Sequence, residues 1–301
     1  MHYGLVPRTN RGIFAVNELP DLAERIQVSL LNVLEERDIQ VRGYLLRLPL
    51  DLLLVASANP EDYTNRGRII TPLKDRFGAE IRTHYPLRLT DEIGLLRQEA
   101  AVAAVVPDHL LEVVARFTRM VRESPAVDAR SGVSARFAVA AAETAAASAL
   151  RRAALTGEDP AVTRVCDLPA VVDTVRGKVE FEVSEEGNER EVLTHLLRRA
   201  TVETFRAHLS ATDLGALIER FDAGLTIETG DLVPAARLLE QLGPLPGLAH
   251  VLERLGMDDG AETPALAAAA IEFAMEGLFL NRRIAKDEVP VGDGRRTVYG
   301  G

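Results

Sequence analysis

Ile13-Phe14-Ala15-Val16-Asn17-Glu18 and, further on, Leu52-Leu53-Leu54-Val55-Ala56-Ser57-Ala58-Asn59 decide how this chain reads. Each is an apolar run too short for a helix, compatible with a buried strand, and each stops at a polar side chain. Between them Pro20-Asp21 opens a helix expected to run to about Glu36. Leu22, Ile26, Leu30, Val33 and Leu34 fall on one face at 3.6-residue spacing, with Asp21 as its N-cap. Arg37 to Leu48 alternates instead: Ile39 and Val41 face one way, Asp38, Gln40 and Arg42 the other. Gly43 falls where the chain would reverse, so a β-hairpin is expected there. Two buried strands linked through a helix predict part of a parallel α/β sheet.

Outward from this core, a polar loop from Tyr63 to Thr71 leads to a short helix around Leu73 to Phe77 and a third strand, Ile81 to Tyr85. From Thr90 the periodicity turns helical, over Asp91 to about Val105, Asp108 to about Glu123 and Ser134 to about Arg152. Gly157-Glu158-Asp159-Pro160 is turn-rich and is the best linker candidate, separating a helical part (89–156) from a C-terminal region (161–301). That region is expected to be all-α, with helices over Asn188–His208, Asp213–Ala223 and Thr263–Lys286 and a Gly/Pro-rich stretch at Gly243–Gly247. The fold class is therefore α/β followed by all-α.

Composition bounds the function. Thirty-five Lys plus Arg stand against 45 Asp plus Glu, a net charge of -10, which disfavours an open basic face tracking a phosphate backbone. The single cysteine, Cys166, excludes an intrachain disulfide, and no Cys/His cluster has zinc-site spacing. No signal-peptide core opens the chain and no uncharged apolar run reaches about 18 residues, so a cytoplasmic protein without a membrane span is expected.

In parallel α/β sheets, ligands gather where strands end. Ile13 to Glu18 has the form of a Walker B segment, in which one polar side chain supports Mg2+ through its water shell and the next carboxylate orients the attacking water. Asn17 and Glu18 hold those positions. Leu52 to Asn59 has the form of a sensor-1 strand, whose terminal Asn59 can hydrogen-bond a γ-phosphate or the attacking water. Singly, a strand-end carboxylate and an Asn-Pro turn are ordinary. Together they lie about 40 residues apart with a helix and a hairpin between them, and Pro72-Leu73-Lys74-Asp75-Arg76-Phe77-Gly78 follows.

The order of these elements and the stretch Asn10 to Tyr85 resemble the magnesium-chelatase ATPase subunit and its MoxR-like relatives, a branch of the AAA+ superfamily. The resemblance implies a partial AAA+ parallel sheet with a pre-sensor-1 β-hairpin (Arg37 to Leu48), a helical lid and an extra C-terminal helical region. It implies that Arg76, between Asp75 and Phe77, is an arginine finger on a neighbouring subunit's ATP; a guanidinium suits that role as a permanent, forked charge. Ser131-Gly132-Val133-Ser134-Ala135-Arg136 resembles the sensor-2 start of a lid helix, which gives Arg136 to the phosphates. The implied catalytic set is Glu18, Asn59 and Arg76, with Asn17 and Arg136 completing the ATP contacts and Asn17 and Glu18 supporting Mg2+. The implied partners are further copies in a ring, expected to be hexameric, and a von Willebrand A domain protein, with metal insertion as the downstream task.

Two departures matter. No G-x-x-x-x-G-K-[S/T] occurs; the only Gly-Lys pair, Gly177-Lys178, is followed by Val179. In the family that loop precedes the point where this sequence starts, so the expectation is a chain truncated before Walker B, with Met1 an internal or late start. Asn17 stands where the family usually has Asp, which weakens metal support while leaving a contact through water. The alternative is a non-hydrolysing fragment or pseudo-ATPase acting as a helical partner-binding module. Simpler readings stand beside the site: a salt bridge from Arg76 to Asp75 or Glu80, solubility charges at Arg42 and Arg47, and a solvated loop at Asn65-Arg66-Gly67-Arg68. His195, His208, Arg198-Arg199 and Arg282-Arg283 are assigned no function.

Overall fold

The computed structural model describes residues 4–35, 38–41, 44–47, 50–59, 68–128, 132–210, 214–245, 247–257, 263–291 and 294–301, with 38–41, 44–47, 289–291 and 294–295 described by backbone alone. The chain forms two compact units, Met1–His84 and Tyr85–Gly301.

In the first unit a single helical turn, α1 (Leu5–Arg8), precedes β1 (Ile13–Val16). β1 pairs in parallel with β4 (Leu53–Ala56), in register from Ile13↔Leu53 to Val16↔Ala56. The expectation of two buried strands holds for one face only. Phe14, Val16 and Ala56 pack on a small core of Leu19, Leu30 and Leu73. Ile13, Leu53 and Val55 stay 66%, 59% and 48% exposed on the other face, because side chains alternate along a strand and the helices of this unit cover one side. The expected third strand over Ile81 to Tyr85 is neither strand nor helix; Ile81 is exposed, and an alternating segment becomes a strand only where an edge receives it.

α2 (Glu24–Glu35) begins later than its sequence suggests. Leu19–Asp21 form a 3-10 turn with Pro20 in its first positions, so Asp21 lies within that turn and does not cap α2. Ile26, assigned to the buried face, is exposed, and Gln27 is buried in its place. Burial of that amide is tolerated because every part of it is used. Its Nε2 donates to the carbonyls of Leu22 (2.9 Å) and Arg68 (3.1 Å), and its Oε1 accepts from Ile70 N–H (2.9 Å). This clamp positions α3 (Thr71–Arg76). The expected hairpin is β2 (Asp38–Val41) against β3 (Tyr44–Arg47), antiparallel and joined by two residues that lie outside the described ones, Gly43 among them.

The second unit holds α4 (Leu89–Glu99), α5 (Asp108–Glu123), α6 (Ala135–Thr156), α7 (Pro169–Val175), α8 (Glu189–His208), α9 (Gly215–Asp222), α10 (Ala235–Leu242), α11 (Leu248–Arg254) and α12 (Pro264–Leu280). α4 stops short of the expected Val105, which instead bridges Val162 in parallel. α6 ends at Gly157, which takes the left-handed conformation (φ 72°) that suits a glycine after a helix. One hydrophobic core runs on both sides of Gly157–Pro160, joining Phe117 and Phe137 to Phe221, Phe273 and Tyr299.

The C-terminal region is not all-α. β5 (Ile227–Gly230), β7 (Gly294–Gly300) and β6 (Ala285–Val291) form an antiparallel sheet in that spatial order. The helix expected to reach Lys286 ends at Leu280, where Asn281 caps it with Nδ2 on the Gly277 carbonyl (2.7 Å). Buried charge ties the sheet to the helices. Glu276 accepts from Tyr299 Oη (2.5 Å) and Lys286 Nζ (2.9 Å), Arg164 lies 3.3 Å from Glu272, and Arg152 bridges Glu158 (2.6 Å) and Asp167 (3.1 Å). Burial raises the Asp167 carboxyl above its usual range, and Arg152 opposes that shift. Among the described residues no helix is long and apolar enough to cross a membrane.

Candidate functional site

The two strand ends meet. β1 and β4 stop in register at Val16 and Ala56, so Asn17 and Glu18 lie alongside Ser57. Ser57 holds that turn through three groups: its N–H donates to Val16 O (2.9 Å), its carbonyl accepts from Leu19 N–H (2.9 Å), and its Oγ accepts from Glu18 N–H (3.2 Å). The same hydroxyl faces Asn17 Oδ1 at a long 3.4 Å. Sequence reasoning passed over Ser57, because the signal was a serine one residue beyond an apolar run, which is common.

Glu18 has φ 54° and ψ 49°, a left-handed conformation that costs a non-glycine residue about 1 kcal/mol. Three constraints hold it there: the Ser57 bonds, the buried Leu19 side chain and Pro20 immediately after. The result is a backbone held in place at the end of a parallel strand pair, from which Glu18 extends an exposed carboxylate next to an exposed Asn17 amide. Asn59 is exposed three residues beyond the end of β4. Oxygen donors of this kind, few and solvent-facing, fit a small hard cation that keeps most of its water. Among the described residues no group of three His, Cys, Asp or Glu side chains could hold a metal alone.

Arg76 is the last residue of α3 and forms an ion pair with Glu35 at the end of α2, both side chains about half exposed. Its partner is thus neither Asp75 nor Glu80. Glu80 is engaged by Arg82 (2.9 Å) and lies 3.9 Å from Lys74, and its carboxyl sits below the usual range through the Arg82 hydrogen bond first. An exposed pair such as Arg76–Glu35 contributes at most about 1 kcal/mol, so Arg76 can leave it at little cost.

Arg136 belongs to the second unit, in the first turn of α6. It is exposed on an open groove of about 940 Å³, together with Asp91, Gln98, Glu99, Glu143 and Lys178. Buried groups fix the entry to α6. Tyr85 Oη accepts from Val133 N–H (3.0 Å) beside Gly132, whose φ of 68° and closeness to that hydroxyl require glycine. Arg122 stacks on the Tyr85 ring (4.2 Å), donates to Val133 O (3.0 Å) and makes a bidentate pair with the fully buried Glu92 (2.7 and 3.0 Å). Tyr85, Glu92 and Arg122 carried no mark in the sequence as supports of this turn. Ser131, Asn65, Arg66 and Gly67 lie outside the described residues, as does Arg42, and Arg47 is described by backbone alone.

No family model matches the chain, and no curated protein does. Among solved structures, a protein from Cytophaga hutchinsonii ATCC 33406 described as a "putative ATPase" is similar over 62% of this chain at 15% identity, with a TM-score of 0.26. The chain spans 64% of that structure's own length, and at this TM-score nothing about fold or role follows from the match.

Proposed function

We propose that these residues are the second half of an AAA+ ATPase core of the magnesium-chelatase type, followed along the sequence by a helical unit, in a protein that couples ATP hydrolysis to remodelling of a partner. The observation that supports it is the strand-end constellation: Glu18, its backbone strained and pinned by Ser57, presents an exposed carboxylate beside Asn17 at the C-terminal ends of two parallel strands. That is where parallel α/β sheets bind ligands. In this reading Glu18 accepts a proton from the attacking water and orients it, and Asn59 donates a hydrogen bond to that water or to the terminal phosphate. Asn17, through water, and Glu18 are the residues that would hold Mg2+; the bound ion supplies neutralisation of phosphate charge. Arg76, released from Glu35, and Arg136 would contact phosphate oxygens, Arg76 on a neighbouring copy. The phosphate-cradling glycine loop would come from outside these 301 residues, since they contain no such motif.

A ring of copies follows from a finger acting in trans, and a von Willebrand A domain partner and a cytoplasmic setting belong to the same reading. The missing glycine loop specifically favours a second one, a partner-binding module without turnover. The test is ATP hydrolysis by the natural polypeptide that carries these residues. Glu18→Gln should keep nucleotide binding and lower turnover on the order of 100-fold or more. Arg76→Ala should also be inactive, and mixing the two variants should restore activity, because each supplies what the other lacks at a shared interface. Full activity in Glu18→Gln, or no recovery on mixing, sinks the assignment of these roles. Absence of nucleotide binding altogether leaves the module reading standing in its place.

A further inference from the structure

We propose that the groove at the C-terminal end of α6 docks a short segment of another protein, one that carries aliphatic side chains beside a lysine or arginine. Gly157-Glu158-Asp159-Pro160, expected from its composition to be a linker, lines an open groove of about 510 Å³ together with Leu150 and Ala154 of α6 and with Ala103 and Val105. A parallel bridge holds the last of these in place: Val105 N–H donates to Ala161 O (2.9 Å), and Thr163 N–H donates to Val105 O (2.8 Å). Ala161 also packs on a small buried cluster of Ala104, Ala146 and Ala149 that lies apart from the main core. Side chains this short let the backbones approach but cannot fill the space outside them, and Leu150 and Val105 stay 38% and 45% exposed. Leu155 and Leu232 are exposed as well, and the Arg151–Asp231 ion pair (3.4 Å) brings the second beside the C-terminal part of α6. Exposed aliphatic side chains gathered on one surface mark an interaction site, where singly scattered ones do not.

Charge complementarity identifies the occupant. Among the described residues the groove is lined by two acids and no base. Glu158 is spent within the chain: its Oε2 accepts from Arg152 Nη1 (2.6 Å) and Thr156 Oγ1 (2.9 Å), its Oε1 from Ala235 N–H (2.6 Å). Asp159 is exposed and has no partner among the described residues. It follows closely on the end of α6 at Thr156, where the helix dipole is negative. An unpaired carboxylate and a helix C-terminus beside aliphatic surface suit a side chain with an apolar stem and a positive head, which lysine and arginine have. A second copy docked through the same patch would set Asp159 against Asp159, a like-charge contact. An anionic membrane surface would meet the same carboxylate. A basic, aliphatic segment of a partner meets neither obstacle. The groove lies wholly in the second unit, so this docking does not depend on the ATP chemistry proposed above.

The experiment selects peptides from a random phage-displayed library on the 301-residue chain, with Leu150→Gln for counter-selection, and measures the selected peptides by fluorescence polarisation without nucleotide. Leu150 and Ala154 are both exposed on α6, so Leu150→Gln should keep the wild-type circular dichroism, and Ala154→Gln fills the groove as a second variant. The enriched peptides should carry aliphatic residues beside a Lys or Arg and bind either variant about tenfold or more weakly. Asp159→Asn should weaken them about threefold, and Asp159→Lys should reverse the preference toward peptides with Glu in place of the basic residue. Val183→Gln, at an exposed apolar position elsewhere in the second unit, should change nothing. Peptides that lack a basic residue, binding indifferent to both groove variants, or no enrichment over the counter-selection overturns the proposal. Self-association of the chain, or retention on vesicles of anionic lipid, that Leu150→Gln abolishes overturns it too, by giving the groove to a second copy or to a membrane. Failure of the ATPase tests leaves these outcomes unmoved, since no nucleotide is present.

Discussion

His109 offers a test of the core whose sign and size follow from its surroundings. It is the second residue of α5, 1% exposed, with its ring 4.6 Å from that of Phe273 and neither ring nitrogen hydrogen-bonded. Burial first, and then the charge of His208, push its pKa down to about 3, with Glu112 pulling weakly the other way. The unfolded chain binds this proton near pH 6.5, whereas the folded chain refuses it until about pH 3. Stability from this group is therefore intact above pH 6.5 and is lost as pH falls, by about 1.4 kcal/mol per unit, reaching about 2 kcal/mol at pH 5.0. His109→Leu removes the titration and keeps the volume roughly constant. Urea unfolding followed by far-ultraviolet circular dichroism at pH 7.5 and 5.0 should show the variant gaining about 2 kcal/mol on the wild type over that interval. It should also be the more stable at pH 7.5, by about 1 kcal/mol, because two unsatisfied polar atoms are gone. Equal losses in both proteins would mean that water or an acceptor reaches the ring, and the argument from burial would fail.

His208 should behave in the opposite sense: its hydrogen bond to Glu112 (2.7 Å) raises its folded pKa, so its contribution is full below about pH 6.5 and vanishes as pH rises through the raised value. His208→Gln should accordingly cost more stability at pH 6 than at pH 9 by the same unfolding assay. Arg122→Gln strands the buried Glu92 and should cost about 3–5 kcal/mol, read as a lowered urea midpoint. Gly277→Ala would gain about 1 kcal/mol on helix propensity alone. Its Cβ would fall inside the Phe205 ring, however, so a net loss of about 1–3 kcal/mol is expected, partly recovered by adding Phe205→Leu.

What the sequence disclosed follows from how local the signals were. β1, the β2–β3 hairpin, α5 and α8 came out within a residue or two, because period and turn chemistry sat inside each segment. The β5–β7–β6 sheet did not. Ala285 to Gly300 alternates around Gly292-Asp293-Gly294, a usable hairpin signal, but the strong apolar run of α12 carried the helical reading past Asn281. β5 has four residues and pairs with β7 some 70 positions away, and no window on the sequence contains both. Ile26 and Gln27 exchanged roles for the same reason: the groups that satisfy the buried amide are backbone atoms at positions 22, 68 and 70.

The candidate site was legible as residue types and illegible as geometry, and the difference lies in Ser57. A polar pair after an apolar run says only that a strand has ended. What makes Glu18 a candidate for chemistry is that its backbone is held in a conformation it would leave if free, and the restraint comes from the end of a second strand 39 residues on. An ordinary surface carboxylate has no need of such restraint, since solvent accepts it in any rotamer. A carboxylate that must reach a water molecule at one place gains from it, because the point from which its side chain leaves the backbone is set during folding. The register of β1 on β4, set by alternating apolar side chains, is thus the physical link between the core of the first unit and the function proposed for its rim.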